Sequence, residues 1–372
     1  MNCRFLNKKL GFYFILFLLA TAGLIALIVH PFWISTDLRS NLWAPTYLLV
    51  RGQNPYNTTV LMTQQRWLNP VWFPMIIGLL FPLGWLTVYQ ATNLWLLLNL
   101  AILVTMLWWA AYPSRPPLFW FALLMLSILL FPPTVGHLRL GQLSLPITWL
   151  WWMAALELDH SLLAAGAIAV ALSKPQLGIL VLPGMLWASY RRQGFKRLAY
   201  LTVFTIVIVL TLTIPLFLAD SNWPAFFLRG LCQNPSWQHP SLLYVLRQTW
   251  GGWGTAAWIG VTLIGLMVNF WLWTKRPPEQ AVLWSLALTP LISPYIWSWD
   301  FVLLIPLAAH LIFHSPPARW GIGAGYVLCW ALMLYMDVNM GSHKTWWIPW
   351  ILFAFFCMSY VVGKNKWTNP TV

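Results

Sequence analysis

Acidic residues are almost missing from this 372-residue chain. There are seven, Asp37, Glu157, Asp159, Asp220, Glu279, Asp300 and Asp337, against 21 Lys and Arg. Charged residues of both signs make up 8%, where soluble domains carry about 25%. With 60% hydrophobic residues and 29 Trp, that shortage excludes an ordinary water-soluble domain and points to lipid as the main solvent. Long polar stretches are lacking as well. Apolar runs of roughly 14 to 21 residues cover most of the chain, and about 20 helical residues cross a bilayer core. Their continuity excludes the alternating strands of an outer-membrane barrel. Cysteine is scarce, and Cys3, Cys232, Cys329 and Cys357 show neither CxxC nor metal-ligand spacing. No DxD motif and no His/Cys cluster is present, so no metal or other cofactor is expected.

What remains is an all-α, polytopic transmembrane bundle, read as one domain over residues 1–372 with about 12–14 membrane segments. Spans are expected near 11–30, 72–88, 90–111, 145–158, 198–218, 255–274, 280–296, 300–314, 319–336 and 345–362. The first has basic residues before it and no small-residue cleavage site before His30-Pro31, so it reads as a retained span. Two further runs are interrupted, 118–143 by Phe131-Pro132-Pro133 and 161–190 by Lys174-Pro175. Broken helices are tolerated in a membrane where they are buried in protein or line a cavity.

The net charge of +14 invites a nucleic-acid reading, which its distribution opposes. Arg4, Lys8, Lys9, Arg191, Arg192, Lys196, Arg197, Lys275, Arg276, Arg319, Lys364 and Lys366 fall in short breaks between apolar runs. That is the positive-inside pattern, which predicts a cytoplasmic-membrane protein with both termini in the cytoplasm. Arg39, Arg51, Arg66, Arg229, Arg247 and Lys344 then fall outside, and Arg115, Arg139 and Lys174 lie in breaks of uncertain side. Two polar loops, 31–70 and 219–254, form the expected roof of an outer-face site. In the first, Leu38, Leu42, Trp43, Tyr47, Leu48 and Leu49 recur at helical spacing and predict a short interfacial helix, weakened by Pro45 and stopped by Arg51-Gly52-Gln53-Asn54-Pro55-Tyr56.

Several of these features occur together in a known order. Asp37, the Tyr47…Arg51-Gly52-Gln53-Asn54-Pro55-Tyr56 segment, Phe73-Pro74…Phe81-Pro82-Leu83, Gly141-Gln142, Lys174-Pro175 and Ser293-Pro294-Tyr295…Trp299-Asp300 resemble glycosyltransferase family 87 over roughly residues 30–310. The resemblance implies a GT-C-class hexosyltransferase. Such an enzyme moves a sugar, typically mannose, from a polyprenyl-phosphate carrier to a lipid or glycan acceptor on the outer side of the cytoplasmic membrane, with inversion at the anomeric carbon. The family's essential aspartate at the start of the first outer loop corresponds to Asp37. Many relatives carry Asn two residues after the Gly-Gln pair, where this chain has Ser144.

The residue chemistry supports the same assignments. A carboxylate within reach of an acceptor hydroxyl serves as general base, and Asp37 is placed to be one. Charge developing on a lipid phosphate needs fixed cations, for which Lys174, Arg139 and His137 are the candidates. Gln142, Tyr56 and Asp300 are candidates for sugar or acceptor binding, and Asp220 and Asp337 border the outer loops where acceptor hydroxyls would arrive. Each has a plainer alternative: Asp37 as a helix cap, Asp300 as a cap or ion-pair partner, Lys174 reaching the interface along its stem. Trp223, Trp237 and Tyr244 belong either to the aromatic belt or to sugar stacking. A secondary transporter would show an internal repeat, which is not seen, and mid-span carboxylates, which are nearly absent. A lipid-binding scaffold would explain the cations and leave Asp37 without a reason.

Overall fold

A computed structural model describes residues 35–57, 70–111, 114, 117–232, 238–338 and 343–363. The expected span near 11–30, Arg66, Arg115 and Trp237 lie outside them. Every regular element among the described residues is helical, as a chain that satisfies its backbone in lipid requires. Among the described residues, three helices have the length and hydropathy to cross a membrane: α4 (Val88–Ala111), α9 (Val181–Ala219) and α12 (Gly252–Lys275). The pair α5 (Leu118–Leu130) and α6 (Pro132–Leu140) meets the same criteria only when taken together, as a broken span or a re-entrant loop bent by 67° at the break. The outward faces of α4, α9 and α12 carry the exposed apolar side chains of a lipid-facing surface, such as Leu98, Trp108, Val207, Leu210, Met267 and Trp271. The shorter helices α7 (Ser144–Leu156), α8 (Ser161–Ala171), α13 (Pro278–Ile292) and α14 (Ile305–His314) pack within the protein. The molecule is a polytopic all-α membrane protein.

The helices at the expected spans near 145–158, 280–296 and 300–314 are shorter than a crossing, and three further elements depart from the expected pattern. The segment near 72–88 is not one span but a two-turn α3 (Pro74–Leu79) followed by a 3-10 turn, Phe81–Trp85. Pro82 ends the α ladder by removing a donor, and the close approach of the Gly84 backbone to the Thr46 carbonyl leaves no space for a Cβ there. The run 198–218 belongs to the longer α9, which at 1.5 Å per residue exceeds a bilayer core. It is interrupted at Gly194 (φ 76°), a left-handed backbone that glycine adopts without steric cost, flanked by Arg191, Arg192, Lys196 and Arg197. Third, the interfacial helix over 38–49 is present but buried.

That helix runs as α1 (Thr36–Leu38), a π-helical stretch Arg39–Trp43 and α2 (Ala44–Leu49). Pro45 falls in the first turn of α2, where its missing N–H follows the π widening and costs little. Leu38, Ser40, Asn41, Leu42, Thr46 and Leu48 are all buried, so the helix is enclosed by protein instead of lying on it. Asn41 fastens it at both ends of its amide. Nδ2 donates to the Asp37 carbonyl at 3.1 Å, and Oδ1 accepts from the Val71 backbone N–H at 2.9 Å. Arg51 caps the end, its guanidinium 3.4 Å over the Tyr47 ring and donating to the Tyr47 carbonyl at 2.9 Å.

Candidate active site

The prolines that break the spans also build the site. A residue preceding proline is pushed out of the α region, and Phe131, Lys174 and Ser293, each before a proline, all take non-α backbone angles. At Lys174 (φ −140°, ψ 72°) the chain leaves α8, and a single 3-10 turn, Pro175–Gly178, leads into α9. At Ser293-Pro294 it leaves α13 and re-forms as a 3-10 helix, Ser298–Leu304, against which both α6 and α7 pack. At the end of α6, Gly141 takes φ 71° and ψ 43°, a left-handed cap that favours glycine. A Cβ there would stand 2.7 Å from the Leu38 Cβ and 2.8 Å from the Ser35 Cβ. Gly141 therefore lets the loop after α6 come directly against α1, which carries Asp37.

Five side chains from these breaks join in one network. Gln142 Nε2 donates to Asp37 Oδ2. On the other side of the same amide, Gln142 Oε1 accepts from Lys174 Nζ at 3.4 Å. Lys174 also donates to Ser144 Oγ at 2.9 Å and to Asp300 Oδ1 at 2.5 Å, and Ser144 Oγ donates to that same Asp300 oxygen. Asp300 Oδ2 accepts the backbone N–H of Trp297 at 2.9 Å. Lys174 is 6% exposed and Asp300 fully buried, so the pair is a desolvated ion pair with all its hydrogen bonds satisfied, the condition under which such a pair is tolerated.

The network fixes orientations that sequence leaves open. An ammonium can only donate, so the face of the Gln142 amide toward Lys174 must be its oxygen. Its NH₂ then points at Asp37. Lys174 has three hydrogens, and Asp300, Ser144 and Gln142 accept all three. Its partner is Asp300, where the sequence suggested a lipid phosphate.

Asp37 is the half-buried member of the network and the one at its edge. Burial raises its carboxyl to about 6, against which the Lys174 charge acts downward and the Asp300 charge upward. A carboxyl in that range is ionised near neutrality and still basic enough to take a proton. Tyr295, pushed up to about 12 by burial and by the charges of Asp300 and Asp37, keeps its phenolic proton. Its hydroxyl accepts from Trp297 Nε1 at 2.8 Å, and Trp297 stacks on Trp299 with ring centroids 4.8 Å apart. His239, Tyr244 and His343 continue this aromatic wall by ring contacts.

Of the predicted residues, Asp37, Gln142, Lys174 and Asp300 come together. His137 lies alongside, fully buried, with Nε2 2.9 Å from Asn99 Oδ1. The Asn99 amide is oriented by its own donation to the Trp95 carbonyl at 2.9 Å, so His137 donates from Nε2, and its buried Nδ1 has no hydrogen-bond partner. Arg139 is exposed on the opposite side of α6, away from the network. Tyr56 is also elsewhere: buried, its hydroxyl donating to the Trp72 carbonyl at 3.0 Å and its ring packed on Trp223 and Phe227. Trp223 is thus part of that packing, and Tyr244 belongs to the wall. Sequence reasoning did not single out Asn99, a polar residue inside an apolar run, nor Ser144 as a partner of Lys174. Among the described residues no group of three His, Cys, Asp or Glu is placed to hold a metal ion.

No curated protein and no solved structure matches the chain. The family model described as Glycosyltransferase family 87 matches residues 67–294. That range contains Gln142, Ser144 and Lys174, while Asp37 and Asp300 lie on either side of it and are joined to it by the bonds above. With well over half its length matched, the chain belongs to glycosyltransferase family 87.

Proposed function

We propose that this membrane glycosyltransferase is a hexosyltransferase that takes a sugar, mannose in the simplest reading, from a polyprenyl-phosphate donor, with Asp37 as general base. The observation that carries this is the Asp37 carboxylate at the open edge of a buried polar network, oriented by Gln142 and set near 6. In the transfer, an acceptor hydroxyl oxygen forms a bond to the anomeric carbon as the bond from that carbon to the phosphate oxygen breaks. The hydroxyl proton passes to Asp37, and the polyprenyl phosphate departs with the electron pair. The buried Lys174–Asp300 pair acts through Gln142 and through its field, since its hydrogen bonds are already taken. The aromatic wall of Tyr295, Trp297 and Trp299 offers faces on which a hexose ring packs. The site opens on the outer side of the cytoplasmic membrane, where the acceptor is a cell-envelope glycan or glycolipid.

The test is transfer of labelled hexose from polyprenyl phosphate in vesicles holding the full chain, with flux of the donor across the same vesicles measured in parallel. Asp37→Asn should insert and fold as wild type and lose about 10²–10⁴-fold in rate. Near-wild-type transfer by that variant removes Asp37 from the mechanism. Flux without transfer in the wild type overturns the transferase reading as a whole.

A further inference from the structure

Gln142 is held by its backbone as well as by its side chain. Its N–H donates to the His137 carbonyl at 3.0 Å, a bond that closes the end of α6. Its carbonyl accepts from Trp95 Nε1 of α4 at 3.3 Å. The Trp95 carbonyl in turn accepts from Asn99 Nδ2 at 2.9 Å, and Asn99 Oδ1 accepts from His137 Nε2 at 2.9 Å. These bonds form a closed ring that leaves Gln142 through α4 and returns to it through α6. Trp95, Asn99, His137 and Gln142 are all buried.

The ring is built of neutral groups, each bond with one donor and one acceptor. The Asn99 NH₂ is spent on the Trp95 carbonyl, so its oxygen is the face left for His137. Trp95 and Asn99 stand four residues apart on one face of α4, while Leu94 and Leu98 beside them are exposed. A polar side chain buried in such a helix is costly unless it is paired. Asn and His bonds between membrane helices often do no more than hold the helices together. Here the bonds end on the residue whose amide donates to Asp37 and accepts from Lys174.

We infer that Trp95, Asn99 and His137 are positioning residues, which fix the Gln142 backbone so that its amide keeps donating to the Asp37 carboxylate. They touch no reacting atom themselves. His137, buried and turned toward α4, thereby takes a part in the site that reaches Asp37 through Gln142. The effect on rate rests on the reading of Asp37 as general base; the effect on the Asp37 carboxyl does not.

The experiment reads that carboxyl directly, by pH-difference infrared spectroscopy of the full chain in lipid nanodiscs. With seven acidic residues in the chain, the Asp37 band is the one absent from Asp37→Asn. A hydrogen bond donated to a carboxylate favours its ionised form, and losing one is an effect of about tenfold. Gln142→Leu should therefore raise the titration midpoint by about one pH unit. Trp95→Phe, which keeps an aromatic ring and removes the Nε1 donor, should raise it by less, as should Asn99→Leu and His137→Leu. None of the three should raise it further in the Gln142→Leu background. His137→Gln, whose amide donates from the place of Nε2, should restore the wild-type midpoint. Lys174, Asp300 and Tyr295, which also face Asp37, stay unchanged in every variant. Tyr326→Phe removes a similar bond outside the ring, from its hydroxyl to the Ser127 carbonyl at 2.9 Å, and should leave the midpoint in place. In the vesicle assay, Trp95→Phe should lower kcat about 2- to 10-fold with the donor KM unchanged. A wild-type midpoint in both Trp95→Phe and Asn99→Leu overturns the proposal, as does a shift that persists at full size in the Gln142→Leu background. Wild-type transfer by Asp37→Asn strikes the base reading alone, and the infrared midpoints still decide the positioning.

Discussion

The Lys174–Asp300 pair makes the sharpest prediction, because its two members act on Asp37 with opposite signs. Asp37 is faced by Lys174 across the Gln142 amide, by Asp300 beyond it and by Tyr295 from the loop after α13. His137 and Arg139 are the titratable groups of α6, the element packed against α1. A base that works ionised and titrates near 6 gives a kcat/KM that is flat above that pH and falls as pH drops through it. With Asp37 and Lys174 roughly 6 Å apart, their attraction is about 0.7 kcal/mol at the dielectric of water and about 3 kcal/mol at an effective value of about 20. At about 1.4 kcal/mol per pH unit, that is a displacement of ~0.5 to ~2 units.

Asp300→Asn removes a negative charge, keeps an acceptor for Lys174, and should move the acid limb of kcat/KM downward. Lys174→Met removes the positive charge and should move it upward. Both variants should also lose stability, since breaking a buried pair costs about 3–5 kcal/mol. The double substitution to Met and Leu should recover much of that, because a well-packed apolar replacement of such a pair is often neutral. The assay is hexose transfer in vesicles from pH 4.5 to 8, alongside melting of the solubilised protein. A purely structural role lowers the plateau without moving the limb. If the two single variants move the limb in the same direction, or leave it where the wild type has it, the coupling of Asp37 to this pair is refuted.

Two smaller predictions follow from single positions. Gly141→Ala puts a Cβ against Leu38 and Ser35 at a positive φ, so it should cost about 1–3 kcal/mol, read as a lowered melting temperature, and lower kcat by displacing Asp37. Tyr56→Phe leaves the buried Trp72 carbonyl without its donor and should cost about 1–3 kcal/mol of stability. Its donor and acceptor KM should match the wild type once folding is controlled, since Tyr56 lies outside the network.

The class of this protein was readable from composition, and the breaks in its helices were readable from proline. Both signals are local and large: a lipid-exposed helix must be apolar throughout, and a residue before proline must leave the α region. The convergence of four predicted residues was not readable, because it depends on backbone angles at Gly141 and Lys174 that sequence does not fix. The two candidates that lie apart from the network share a cause. Arg139 was grouped with His137 because they are two apart in sequence, but on a helix that spacing puts them on different faces. Tyr56 stood in a polar loop and so suggested a ligand, although an aromatic ring with one polar tip is equally suited to a buried position with one backbone partner.

Ser144 shows how the missing information is physical. A single sequence marks it as a departure from the family's Asn, a matter of sugar preference. In the structure its hydroxyl receives from Lys174 and donates to Asp300, a dual role that an amide of the same reach also performs. The requirement at this position is an atom group that both accepts and donates between a buried ammonium and a buried carboxylate. Hydroxyl and amide satisfy it equally, so the substitution preserves the network and with it the orientation of Gln142 toward Asp37.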